Sequence, residues 1–126
     1  MSKTGQEFIN EVFTELQELF LVKQKEYKAA SDSVFRNFEQ GANLSGESPE
    51  ETLLGYVNKQ IVSLFDAKKT NPERLRDVNF IDEKAGDIAV YMIILRAMVR
   101  YNAQEKNEIE RIQKVYYERV NEIETR

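Results

Sequence analysis

The stretch IDEKAGDIAVYMIILRAMV, residues 81–99, decides the fold. From Ile88 to Val99 it is apolar nearly all round, which marks a central helix packed against neighbours on several sides. Yet Glu83 and Asp87 stand just ahead of that run. At about 100° per residue, Glu83, Asp87, Tyr91, Ile94 and Met98 fall within roughly 80° on one stripe. Two carboxylates therefore extend a face that belongs to the core. A buried carboxylate is costly unless it is paired, hydrogen-bonded or bound to a metal, and two accounts are open. In the first the acids are structural: they open a helix that starts near Asp82, where unpaired N–H groups and the helix dipole favour negative charge, or they pair with Lys84 or a cation from another helix. In the second they serve a ligand or a metal ion.

A chain of 126 residues, 41% hydrophobic and 32% charged, reads as one domain over 1–126 with room for a core that needs no disulfides. Its 22 acidic and 18 basic residues leave a net charge of −4, which argues against a protein whose main work is gripping nucleic-acid backbone. The absence of Cys and His removes thiol nucleophiles, the usual zinc ligands and the commonest general base. Any chemistry falls to carboxylates, Lys, Tyr and oxygen-bound ions. The lack of Cys, of a membrane span and of an apolar leader in MSKTGQEF points to the cytoplasm.

Working back from the central helix, Thr4 and Glu7 read as a capping box, and Phe8, Ile9, Val12, Phe13, Leu16, Leu19 and Phe20 recur at helical spacing. The first long helix is predicted over 5–27, with Glu7, Glu11, Glu15 and Glu18 on its solvated face. A short helix follows over 33–40, where Phe35 and Phe38 ask for burial and Gly41 and Gly46 break the pattern. Ser48, Pro49 and Glu51 combine an N-cap, a proline at the first helical position and a capping-box acid, so the second long helix runs to about Lys69. Asn71 and Pro72 start a helical turn to Arg76. The third long helix spans 82–101 and then either continues or turns at YNAQ into a C-terminal helix, 104–126. There Ile109, Ile112, Tyr116, Val120 and Ile123 form a narrow stripe suited to one partner. The stripe folds back on its own domain or meets another subunit.

The order of KQKEY, FRNF, SPEETLLGYVNKQIVSLFD and DEKAGDIAVYMIIL, over roughly residues 8–100, resembles small phage proteins of the nucleotide modification associated type, which are similar to the all-α MazG-like NTP pyrophosphohydrolase superfamily. The resemblance implies a compact, oligomeric helical bundle that handles nucleotides, with acids on two helices holding Mg²⁺ against a triphosphate. Glu83 and Asp87 match the second acidic pair. The first pair has no counterpart in LLGYVNKQIVSLFDA, whose only charges are Lys59 and Asp66, and Lys28 stands where a Gly commonly follows the K-x-x-[DE]-Y motif.

On the residues themselves, Lys23, Lys25, Lys59 and Arg36 offer positive charge to phosphates, while Tyr27, Phe35, Phe38, Tyr56 and Tyr91 offer stacking surface, Phe35 and Phe38 being read as core. The expected ligand set is Lys23, Tyr27, Lys59, Glu83, Asp87 and Tyr91, with Glu83 and Asp87 as ligands of Mg²⁺. The acids are expected at the floor of a pocket between the three long helices, held by Lys59 or a bound ion. Three functions follow: a non-catalytic binder of a nucleotide or nucleotide-derived molecule, in a phage a sequestering agent for a host defence signal; a Mg²⁺-dependent NTP pyrophosphohydrolase; or an interaction module using the C-terminal helix. A homo-oligomer is expected in each.

Overall fold

A computed structural model describes residues 2–30 and 35–125, with the backbone alone for 23–30. Four α-helices and one 3-10 turn follow in order: α1 (Gly5–Ala30), α2 (Arg36–Ser45), α3 (Pro49–Thr70), the turn Pro72–Arg76, and α4 (Val78–Glu124). No strand occurs among the described residues, so the architecture is all-α.

Local chemistry explains the boundaries. Ser48 Oγ accepts the Glu51 N–H and Glu51 Oε1 accepts the Ser48 N–H, each at 3.2 Å, which closes the capping box where the sequence placed it. Asp77 caps α4 by accepting the N–H groups of Asn79 at 3.0 Å and Phe80 at 3.3 Å. The central helix thus begins at Val78, ahead of the predicted Asp82. Glu83 and Asp87 lie in its second and third turns, beyond the reach of the dipole. At the other end YNAQ makes no turn. The helix runs for 47 residues, about 70 Å at 1.5 Å per residue.

The predicted break at Gly41 is also corrected. Helix α2 starts at Arg36, passes through Gly41 and stops at Gly46, whose φ of 76° only glycine adopts easily; residues 31–34, which include the predicted start Ser33, lie outside the described residues. Gly41 instead lets α2 approach α3, because a Cβ there would stand 2.9 Å from Thr52 Cγ2.

Phe38 of α2, Leu53 and Val57 of α3, and Val90, Ile94 and Met98 of α4 form the buried core. Helices α3 and α4 are antiparallel, since Glu50 meets Asn102, Tyr56 meets Tyr91 and Gln60 meets Asp87. The first helix contributes less than its periodicity asks. Leu16 and Phe20 pack on the core, but Phe8 and Phe13 stay 54% and 68% exposed, because α1 touches only α4 among the described helices.

Two outcomes test this packing. Ile94→Asp sets an unpaired charge in the core at a cost of several kcal/mol against a typical total stability of about 5–15, and should abolish the cooperative thermal transition seen by circular dichroism. Gly41→Ala gains up to about 1 kcal/mol of helix propensity but drives a methyl against Thr52 Cγ2, on a stiff β-branched side chain, at an overpacking cost of about 1–3 kcal/mol. A lower melting temperature is expected, with Thr52→Ser in the same chain restoring it.

Candidate functional site

The seam between α3 and α4 gathers the polar and aromatic groups that the core does not absorb. Tyr56, Lys59 and Gln60 share one stripe of α3 at i, i+3 and i+4, and Asp87 and Tyr91 share one of α4 at i and i+4. Antiparallel packing sets the stripes face to face. The Tyr56 and Tyr91 rings stack with centroids 5.9 Å apart and planes 23° apart, and Phe38 meets both edge-on at 5.9 and 6.2 Å. One turn along, Gln60 Nε2 donates to Asp87 Oδ2 at 3.0 Å. Lys59 is exposed, its Nζ 5.7 Å from the Tyr56 ring centroid. With Tyr56 38% exposed, the stack has a solvent edge flanked by an ammonium.

This assembly differs from the expected pocket. Asp87 is half-buried as its stripe requires, but an amide compensates it where Lys59 or an ion was expected. Glu83 points away, its side chain 66% exposed and 3.4 Å from Lys84 Nζ, so the pairing with Lys84 is the account that fits it. Tyr91, on the same stripe, packs partly buried against the core cluster and stacks with Tyr56. The side chains of Lys23, Lys25 and Tyr27 lie outside the described residues. Gln60 was missed, although it stands one turn beyond Tyr56 on the seam stripe, and Tyr56 was named only as stacking surface. Phe38 is core, and Phe35 packs beside it, 5.8 Å from the Tyr101 ring. Glu105, hydrogen-bonded to the Tyr101 hydroxyl, holds that phenol above its ordinary 10.0, helped by the charge of Glu39.

A groove between α1 and α4, about 450 Å³, is lined by Val12, Leu16, Leu19, Ala85, Gly86 and Ala89 together with Glu15, Ile81 and Asp82. Ala85 and Ala89 lie about 160° around α4 from Asp87. Among the described residues this groove therefore opens on the far side of α4 from Asp87, away from the seam. Among the described residues no group of three or more Asp, Glu, His or Cys is placed to hold a metal ion. Of the two expected Mg²⁺ ligands only Asp87 faces the seam, and a single carboxylate suits Mg²⁺ only when phosphates and water complete its shell.

Comparison with models of known families, with curated proteins and with solved structures finds no match to this chain.

The Gln60 contact gives Asp87 two separable roles. Asp87→Asn keeps an oxygen to accept the amide and should change the melting temperature little. Asp87→Leu strands the Gln60 amide at a half-buried site and should cost about 1–3 kcal/mol in denaturant unfolding.

Proposed function

We propose that the chain binds a nucleotide or nucleotide-derived small molecule at the α3–α4 seam and does not cleave it. The observation that carries this reading is the Tyr56–Tyr91 stack with Lys59 at its open edge and the Gln60–Asp87 pair one turn away. A base stacks on the open aromatic surface, the ammonium attracts phosphate, and the amide and carboxylate offer a donor and an acceptor to base or ribose. Mg²⁺ would enter with the phosphates, with Asp87 as its carboxylate at the seam, since Glu83 turns away to Lys84. The resemblance in motif order supports the same chemistry, and with it a MazG-like, oligomeric, cytosolic protein of phage origin that keeps a host defence nucleotide from its receptor.

The test is equilibrium dialysis of the purified chain against a panel of nucleoside triphosphates and cyclic nucleotides, with and without Mg²⁺, and mass spectrometry of both compartments. Intact nucleotide should be retained in the protein compartment. Tyr56→Leu should weaken retention about 5- to 150-fold, the range of about 1–3 kcal/mol for one stacked base. Lys59→Gln, on an exposed site that leaves the fold alone, should weaken it at low salt. Retention unaltered by both variants removes the seam as the site, and pyrophosphate released only with Mg²⁺ replaces binding by hydrolysis.

A further inference from the structure

Helix α3 covers α4 along one lane and then ends. The lane carries Asp87, Tyr91, Ile94, Met98 and Asn102, and its last meeting with α3 is the hydrogen bond from Asn102 Nδ2 to Glu50 Oε1 at 2.9 Å, one residue inside the start of α3. Beyond it the same lane continues. Ile109, Ile112, Tyr116, Val120 and Ile123 occupy the same 80° sector as the five residues above at about 100° per residue. No described helix lies on them, and Ile112 and Tyr116 are 58% and 64% exposed. A stripe built like the covered one thus runs uncovered for about 21 Å.

The exposed area says how much cover is missing. The chain exposes 10283 Å², where a compact monomer of 14.8 kDa exposes roughly 7,000 Å². The surplus, about 3,300 Å² and shared with the open face of α1, exceeds the 1,000–2,500 Å² that each chain of an obligate dimer commonly buries.

We propose that the distal half of α4 pairs antiparallel with the same segment of a second copy. The segment is complementary to itself in that sense. With Tyr116 opposite the partner's Tyr116 at a two-fold axis, Ile109 faces the partner's Ile123 and Ile112 faces the partner's Val120. Parallel pairing drives the proximal half of the partner's α4 into the part of the lane that α3 fills. Antiparallel pairing sets the partner's Glu124, where helix α4 ends, level with Glu108, short of Asn102. There the negative end of the partner's helix dipole faces the positive end of α3. Each lane then holds α3 and the partner's distal segment end to end.

The test uses the full chain, which has no cysteine of its own. Light scattering at micromolar concentration should give twice 14.8 kDa, and Ile112→Asp combined with Tyr116→Asp should halve that mass while the core's thermal transition persists. Oxidising a mixture of an Ile109→Cys chain and an Ile123→Cys chain should cross-link the two, whereas neither alone should cross-link to itself; this readout leaves the stripe largely apolar and decides the matter even if the double variant misfolds. A native mass of one chain, a doubled mass in a folded double variant, or self-linking of Ile109→Cys overturns the proposal. Because mass and cross-linking are read without nucleotide, failure here leaves the seam site untouched, and the reverse also holds.

Discussion

Everything in the molecule depends on the antiparallel contact of α3 with α4. Five of the six residues in the main core cluster lie on these two helices, and the sixth, Phe38, is laid over them by α2. Burying side chains of this size contributes about 1.5–3 kcal/mol each. The ion pairs outside this seam contribute far less: Arg76 with Glu73 and Arg111 with Glu108 are exposed, and such pairs are worth about 0–1 kcal/mol. Apolar fit along one seam sets the fold, and charge decorates it. The fit also needs Gly41, since α2 reaches α3 only because no Cβ stands between its backbone and Thr52.

The candidate site is a by-product of the same register. Tyr56 pairs with Tyr91, and Gln60 with Asp87, because the residue numbers of facing positions on antiparallel helices have a nearly constant sum, and both pairs follow from one alignment. A slip of one turn would separate the rings and leave Asp87 against apolar side chains. The aromatic stack is therefore preorganised by the core beneath it, and ordering it on ligand binding costs little entropy. Tyr91 belongs to both systems: it packs on the core cluster and stacks with Tyr56.

Much of this was legible in the sequence where chemistry is local. The Ser48, Pro49, Glu51 cap gave α3 its start, and the all-round apolar character of 88–99 marked the central helix. Non-local facts were harder to read. Asp77 was hidden as the cap because Asp82 and Glu83 offered a more conspicuous acidic start, and Gly41 looked like a breaker because the approach of Thr52 appears only in three dimensions. Periodicity placed Asp87 on a core stripe correctly, but it could not say that the compensating group is an amide from α3, since Gln60 carries no charge to attract attention. Nor could it reveal that Glu83, on the edge of that stripe, turns out to Lys84. The stripe on α1 shows the same limit: a periodic apolar face says that burial is wanted and leaves the covering surface unstated.

The distal half of α4 sharpens that point, because its own sequence is not an especially good helix. Nucleation is already supplied by the packed part of α4, so each further residue faces only propagation, which is close to neutral in water for ordinary residues. Val115, Tyr116, Tyr117 and Val120 are weaker helix formers than Ala, Glu or Lys, since branched and aromatic side chains lose rotamer freedom against the preceding turn. The Arg111–Glu108 pair at i, i+3 returns about 0.2–0.5 kcal/mol. A segment meant to stand alone in water would be better served by Ala, Glu and Lys at those positions. Ile, Val and Tyr on one lane are the residues that gain when a second surface removes them from water, so the composition of the segment and the end of α3 both support the pairing proposed for it.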